Sequence, residues 1–466
     1  MTASLDKFFD PKSVAVIGAS GTRHKAGNDV IRNITANDFS GKLYLVNPKG
    51  GEILGHRVYK SVADLPEGID LAIVIVPAAA NPRIIRDCAA RGIGAFVLAA
   101  GGFAEVDSSG RSLQEELERV IRETGVRVIG PNTSGHTSTP AGFTSSFFPL
   151  GRVPRGNISY IAQTGNFATH TMRHIATAEN FGVARVMGLG NKVDVEESEI
   201  LDFYADDPET RAIFIYLESI KKPRRFLEAA RRVTRKKPVV LLKSGSTSAG
   251  ARAAVAHTAA LASDDRITDG ALRQAGIVRI HRYSQLFQVA KAMSKMPLPA
   301  GNRVGFLGPS GAMLVVLSDL CTKQLSLKVA PIEEATRDRL QEISPPIIRM
   351  RNPVDIWPSA TVHGAEYAFR EGMAALLKDP NIDAVVPILM LLEETGIPDL
   401  GFVTDLAGEY PDKPILVTFS GEKEHVDAAK AFLEPRGVPT YELIEQPFEV
   451  LEVMVRCRRV LDRPQD

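Results

Sequence analysis

Short apolar runs alternate with helix-like segments through the first 150 or so residues, and each run ends at Gly, Asn or Pro. The runs cover 14–17, 43–46, 71–76, 95–99 and 126–129. That alternation describes a parallel sheet with crossover helices, a Rossmann-type unit. Ligands of such sheets bind beyond the carboxyl ends of the strands, so the strand ends are where chemistry has to be read.

The pattern returns twice. Runs at 158–162, 183–187, 212–217, 239–242 and 277–280 describe a second parallel sheet, of flavodoxin type. Runs at 304–307, 384–391 and 415–419 describe a third. A chain of 466 residues fits about three domains of ~150 residues. The expected architecture is α/β throughout: a Rossmann-type domain over 1–150, then flavodoxin-like domains over 151–298 and 299–466.

The bulk numbers exclude several function classes. A formal net charge of +1 gives no general attraction for nucleic acid or membrane. The opening MTASLDKFFDPKSV lacks an apolar core of signal-peptide length, and no apolar run approaches ~20 residues, so no membrane span is expected. Cys88, Cys321 and Cys457 are far apart and form no zinc or disulfide pattern, which reads as a cytoplasmic chain. His170 and His174 sit four residues apart without the adjacent Glu of a zinc-protease helix, and no metal site is expected.

The first strand ends in Gly18-Ala19-Ser20-Gly21, with Gly27 shortly after and a helix over 28–37. A glycine turn feeding a helix N-terminus favours an anion, through free N–H groups and the helix dipole. The spacing is not GxGxxG. The second strand ends in Asn47-Pro48-Lys49, where an NAD site would place Asp or Glu against the ribose hydroxyls. A lysine there suits an extra phosphate, which leaves CoA and NADP. Later ends are Val76-Pro77-Ala78, then Gly101-Gly102-Phe103-Ala104-Glu105, then Gly130-Pro131-Asn132-Thr133-Ser134-Gly135.

Taken in this order, VAVIGAS, VNPKG, VIVPA, GGFAE and GPNTSG resemble the CoA-binding domain of the ADP-forming acyl-CoA synthetases and of the succinyl-CoA synthetase alpha subunit. The resemblance implies coenzyme A at Gly18, Ala19, Ser20, Asn47, Lys49, Val76, Pro77, Gly102, Glu105 and Asn132. Thr133-Ser134 departs from it, because the family often has Cys followed by a small residue there. An NADP-binding Rossmann domain is the alternative.

In the second sheet, Gln163-Thr164-Gly165-Asn166 leads into a helix over 167–179 and forms a second anion site. Thr164, Gly165 and Asn166 are its phosphate-binding candidates; the family usually has Ser-Gly here, and Thr164 keeps the hydroxyl. Gly188-Leu189-Gly190-Asn191-Lys192-Val193-Asp194 is close to the family's Gly-Asn-Lys-x-Asp pattern. Glu218 emerges directly from an apolar strand, where a carboxylate is costly without a partner. Either a histidine supplies that partner, or Glu218 caps a helix or pairs with Lys221 or Lys222.

The stretch 243–265, KSGSTSAGARAAVAHTAALASDD, is rich in Gly, Ala and Ser and holds one group with chemistry near neutral pH, the imidazole of His257. The plain reading is an Ala-rich helix with an incidental histidine. The segment AHTAALAS, however, resembles the phosphohistidine loop of the same synthetases, with Ala259 and Ser263 where glycines are usual. The resemblance implies that His257 carries a phosphoryl group. Glu218 would accept a hydrogen bond from one ring nitrogen and leave the other free to attack phosphorus. It also implies an acyl phosphate made from acyl-CoA and phosphate, and final transfer from the histidine to ADP.

In the last third, Gly308-Pro309-Ser310-Gly311-Ala312 is another turn into a helix, and Asn352-Pro353-Val354-Asp355 resembles the Asn-Pro-x-Asp element of the C-terminal synthetase domain. Glu393 and Glu394 read as a solvated loop and Arg456-Cys457-Arg458-Arg459 as a charged helix face. No region up to Asp466 has the features of the ATP-grasp domain with which the family binds Mg-ADP or Mg-ATP. The resemblance therefore implies a separate ATP-grasp beta subunit and a hetero-oligomer. A non-catalytic CoA or acyl-CoA sensor is the competing function; it has no need of both His257 and Glu218.

Overall fold

The computed structural model describes residues 5–250, 252, 264–346, 348–393 and 396–464. The chain divides into two compact units, 1–286 and 287–466. Among the described residues, no helix is long and apolar enough to cross a membrane.

The first unit holds two sheets. The first sheet is made of β1 (Ser13–Ile17), β2 (Lys42–Val46), β3 (Gly51–Ile53), β4 (His56–Tyr59), β5 (Leu71–Val74), β6 (Ala95–Leu98) and β7 (Arg127–Ile129). Their spatial order is β3-β4-β2-β1-β5-β6-β7, parallel except where β3 pairs with β4. The central strands β1, β5 and β6 are apolar almost without interruption because both faces are covered. Val14, Val16, Leu71, Ile73, Ala95 and Val97 face one buried cluster. The alternate residues Ala15, Ile17, Ala72, Val74, Phe96 and Leu98 face another.

The second sheet comprises β8 (His136–Ser138), β9 (Phe143–Thr144), β10 (Arg155–Ala162), β11 (Val183–Gly188), β12 (Ala212–Leu217), β13 (Val239–Lys243) and β14 (Val278–Ile280). Its order is β14-β13-β12-β10-β11-β8-β9. Ile161, Met187, Ile213, Ile215 and Leu217 belong to the same apolar cluster as Val14 and Val16, so the two sheets share one core.

Two features differ from the sequence expectation. The division at 150 falls after β8 and β9, which pair antiparallel with each other and, through β8, with β11 in the second sheet. Both strands are short, and β8 is wholly polar, so no apolar run announces them. Their hydroxyls are instead used in place: Thr137 and Thr144 Oγ1 lie 2.9 Å apart, and Ser138 Oγ accepts from Arg185 at 2.7 Å. The helix expected over 167–179 has wide, π-helical turns at Phe167–Thr171 and Ile175–Glu179, with one α-helical stretch, Met172–His174, between them.

His136 on β8 ties this edge to the N-terminus. Its Nε2 donates to the Phe8 carbonyl at 2.6 Å, and its Nδ1 lies 2.8 Å from the Ser145 hydroxyl that donates to it. The ring is fully buried among Phe8, Phe9 and Phe143. Burial lowers its pKa from 6.5 to about 4; the Phe8 carbonyl opposes the shift and the Arg185 charge adds to it. The unfolded chain takes up this proton near 6.5 and the folded chain only near 4, so stability falls as pH drops through that window. At pH 5 the unit is expected to be about 2 kcal/mol less stable than at pH 7 through this group. Urea unfolding at the two pH values checks this. The pH slope should flatten in His136→Gln; an unchanged slope would exclude His136 as its source.

The second unit, described by itself, is built on β15 (Arg303–Gly308), β16 (Lys328–Val329), β17 (Val354–Asp355), β18 (Ala384–Leu391), β19 (Val417–Gly421) and β20 (Thr440–Tyr441). The order is β16-β15-β18-β19-β20, with β17 also on β15. Asn352 of the Asn-Pro-x-Asp element is a structural clasp. Its Nδ2 donates to Val304 O at 2.8 Å and Ala330 O at 2.9 Å, and its Oδ1 accepts from Phe306 N at 3.2 Å. A buried pair, Lys291 Nζ to Glu434 Oε1 at 3.1 Å, is completed by the Thr440 hydroxyl at 2.8 Å. A pair so buried needs such extra bonds to offset its desolvation. Glu393 is exposed, with His425 Nε2 at 3.8 Å, while Glu394 lies outside the described residues. Cys457 is buried in the helix Gln446–Leu461, whose Arg458 and Arg459 bond Asp462 and Ser326.

Candidate active site at the strand ends

The turn after β1 is held first by backbone bonds. Gly18 N and Ala19 N each donate to Val46 O at 3.1 Å, which joins it to the end of β2. Gly18 has φ +95°, and a Cβ there would sit 2.2 Å from Ile75 O. Gly27, in the first turn of the helix Ala26–Ala36, packs against the same turn; a Cβ on it would sit 2.1 Å from Gly18 O. Only glycine fits either place. Asn28 Nδ2 donates to Ser20 O, and Asn47 Nδ2 to Ala19 O, both at 2.8 Å. Asn47 Oδ1 accepts from Lys49 N at 2.9 Å, and Lys49 is exposed. Gly18, Ala19, Ser20, Asn47 and Lys49 thus gather at two adjacent strand ends.

Val76 and Pro77 follow β5, next in the sheet to β1. Gly102 follows β6 with φ +107°. Glu105 turns back on this loop: Oε1 accepts from Gly102 N at 2.7 Å and Phe103 N at 3.2 Å. Its Oε2 accepts from Asn191 Nδ2 at 2.6 Å. Burial works to raise the Glu105 pKa, but the bonds from Asn191 and the backbone N–H groups outweigh it and hold the carboxyl below its ordinary value. Asn132 follows β7 in the left-handed region, φ 58°, with its N–H on Ala100 O at 2.9 Å. The ten residues expected to meet coenzyme A therefore all lie at carboxyl ends of first-sheet strands.

The second sheet brings three segments together. Thr164 Oγ1 accepts from Asn166 N at 3.3 Å, and Gly165 O accepts from the Thr169 hydroxyl at 2.9 Å. Among the described residues, the nearest atom to a Cβ at Gly165 is Ser134 Cβ at 3.9 Å. Ser134, from the GPNTSG turn, is buried, and its Oγ has no hydrogen-bond partner among the described residues. Glu218 stands directly beyond β12. Its N–H donates to Gln163 Oε1 at 3.1 Å, its carbonyl accepts from Lys243 Nζ at 2.7 Å, and the Tyr216 hydroxyl lies 3.5 Å from Oε1. Lys221 reaches Asn191 O at 2.7 Å and Lys222 reaches Glu196 at 3.5 Å. His257, Ala259 and Ser263 lie outside the described residues.

Three residues of this site were quoted above only as parts of motifs. Gln163 bridges β10 and the Glu218 segment; its Nε2 donates to Ser219 Oγ at 2.9 Å. Lys192 is buried beside Glu197 at 3.1 Å, and Lys243 is held on two carbonyls. Burial lowers the pKa of both lysines; the charges of Glu197, Glu196 and Glu218 oppose this at Lys192, while Arg279 adds to it at Lys243. The available signal was a polar group directly after an apolar run at Gln163 and Lys243; Lys192 offered none beyond its motif.

Residues 12–138 match the CoA binding domain and residues 155–293 the succinyl-CoA ligase like flavodoxin domain. The chain is 37% identical to acetate–CoA ligase (ADP-forming) II of Archaeoglobus fulgidus, over 96% of this chain and 66% of that protein. It is 34% identical to the alpha subunit of acetate–CoA ligase (ADP-forming) II of Pyrococcus furiosus, over 94% of each chain. It therefore spans just under two thirds of the first relative and nearly all of the second. A solved structure described as the dinucleotide forming acetyl-coenzyme A synthetase 1 of Ca. Korarchaeum cryptofilum, in complex with phosphate and ADP, superposes with a TM-score of 0.90. That match covers 98% of each chain at 30% identity. With two domain models in order and an alpha subunit matched along almost its whole length, the chain belongs to the family of ADP-forming acyl-CoA synthetase alpha subunits.

Proposed function

We propose that the chain is the alpha-type subunit of an ADP-forming acyl-CoA synthetase, interconverting acyl-CoA, ADP and phosphate with acid, CoA and ATP. The observation that carries this reading is the placing of Glu218. Its backbone is fixed at both N–H and C=O, beyond a strand of the same sheet that presents the 164–166 turn. The first-sheet turns would take coenzyme A: glycines at 18 and 27 let the turn pack against the start of the helix Ala26–Ala36, and Lys49 is exposed at the adjacent strand end for a phosphate.

A phosphate oxygen attacks the thioester carbonyl, the C–S bond breaks, and CoA leaves as the thiolate. The acyl phosphate then meets His257. One ring nitrogen attacks phosphorus, the P–O bond to the acyl oxygen breaks, and the carboxylate departs. Glu218 takes the hydrogen bond from the other ring nitrogen and stabilises the cationic ring. N–H groups of the 164–166 turn meet the phosphoryl oxygens. The phosphoryl group passes to ADP on a separate ATP-grasp subunit that holds Mg²⁺, giving a hetero-oligomer. Cys88, Cys321 and Cys457 are buried free thiols, each pushed up to about 12 chiefly by burial, as fits a reducing cytoplasm.

The test offers the chain acetyl-CoA and radiolabelled phosphate, because the Archaeoglobus and Pyrococcus relatives are named for acetate. The expected result is a protein-bound label that acid removes and base does not, with CoA released in step. CoA binding without label would support an acyl-CoA sensor instead. Binding of NADPH but not CoA would exclude both.

A further inference from the structure

We infer that Lys192 is a positioning residue for Glu218, acting through Gln163. The inference rests on the proposed role of Glu218. Lys192 Nζ donates to Gln163 Oε1 at 3.2 Å and to Ser219 O at 2.8 Å, and it forms an ion pair with Glu197 Oε2 at 3.1 Å. The Lys192 side chain is completely buried and Glu197 almost so, at 0% and 2% exposure. Gln163 Oε1 in turn accepts from the N–H groups of both Glu218 and Ser219, at 3.1 and 2.9 Å. Its amide cannot turn over, because Nε2 is committed to the Ser219 hydroxyl at 2.9 Å. One ammonium therefore fixes the oxygen on which the Glu218 backbone hangs, and grips the next carbonyl as well.

The backbone at Lys192 is itself held in an unfavourable place, φ 55°, a left-handed conformation for a long side chain. The flanking N–H groups keep it there: Asn191 N donates to Pro131 O at 2.9 Å and Val193 N to Gly130 O at 3.2 Å. Asn191 reaches Glu105 in the Gly102 loop. The three residues 191–193 thus fasten to first-sheet strand ends, while the Lys192 side chain fastens to the end of β12. An uncharged side chain would fill the space but could not bond both oxygens and offset the buried Glu197 charge at once.

The test compares single-turnover labelling from acetyl-CoA and radiolabelled phosphate in the full chain. Its two variants are Lys192→Met/Glu197→Gln, which removes both buried charges together, and Gln163→Met. Each variant is expected to label about 100-fold more slowly, as a slight misplacement of a reacting group does. CoA affinity by calorimetry should stay within about threefold, because binding energy spent away from the reacting atoms is untouched. Combining all three substitutions should slow labelling no further than Gln163→Met alone, since groups acting in series are not additive. A purely structural role would instead lower labelling and CoA affinity together and make the losses add. Labelling at the wild-type rate in either folded variant overturns the inference. If the paired variant does not fold, Gln163→Met decides. Absence of label in the wild-type chain overturns the underlying reading, and the inference falls with it.

Discussion

Glu218→Gln is expected to slow acyl-CoA-dependent phosphorylation of the chain by about 1,000-fold, within the range that loss of a positioned acid–base group produces. The substitution keeps shape and leaves the backbone anchors in place, since Gln163 and Lys243 hold the main chain and not the side chain. What it removes is the negative charge. A neutral amide cannot hold one imidazole tautomer as firmly, and it does nothing for the cationic ring that forms when phosphorus is attacked. CoA affinity should change by less than about threefold, because the group acts on the reacting centre and not on remote binding. Rapid-quench labelling read beside a CoA titration separates the two effects. Wild-type labelling in the variant would remove Glu218 from the mechanism.

The second large effect is expected at Gly27. A single methyl group there would meet Gly18 O at 2.1 Å and Ser20 N at 3.1 Å, both backbone atoms. Neither can swing aside as a side-chain tip would, and Gly18 is itself backed by Ile75 O. Gly27→Ala should therefore push the helix Ala26–Ala36 off the turn. The expected cost is about 3 kcal/mol of stability in this unit, the upper end for overpacking. CoA affinity should fall by about 100-fold, since phosphate contacts need the turn and helix start together. Gly21→Ala is the control: its nearest neighbour is Ile53 Cγ1, 3.8 Å away, and it should bind CoA normally. Equal behaviour of the two variants in a CoA titration would mean that this turn does not hold the ligand.

Much of the frame could be read directly. Strands buried on both faces are written as unbroken apolar runs, so β1, β2, β5, β6, β10, β11, β12, β13 and β18 stood out. The hairpin of β3 and β4 did not. It is short and half exposed, and it turns on Leu54 and Gly55, both at positive φ, without the Asn-Gly or Asp-Gly signature. β8 and β9 escaped for a related reason: paired hydroxyls and a buried histidine hold them beside the lone Phe143, too little to make an apolar run. The π-helical turns around Met172 share enough of the helical period to pass for an ordinary helix.

The site was legible where it consisted of one continuous stretch. The Gly18 turn, the 164–166 turn and the emergence of Glu218 from an apolar strand are each local facts. The grip of Lys192 on Gln163 and Ser219 joins three segments far apart in the chain, so no single stretch displays it. The choice between Lys221, Lys222 and other partners for Glu218 also depends on the fold; both lysines turn elsewhere, to Asn191 O and to Glu196. His257 was singled out by resemblance and by being the one titratable ring in a run of small residues.

The most direct measurement locates the phosphoryl group after the chain has been given acetyl-CoA and phosphate. Peptide mapping under alkaline conditions, which preserve a phosphoramidate, should place it on His257. The His257→Asn chain should bind CoA as before and acquire no phosphate. Phosphate on another side chain, or a His257→Asn chain labelled as fast as wild type, would contradict the account.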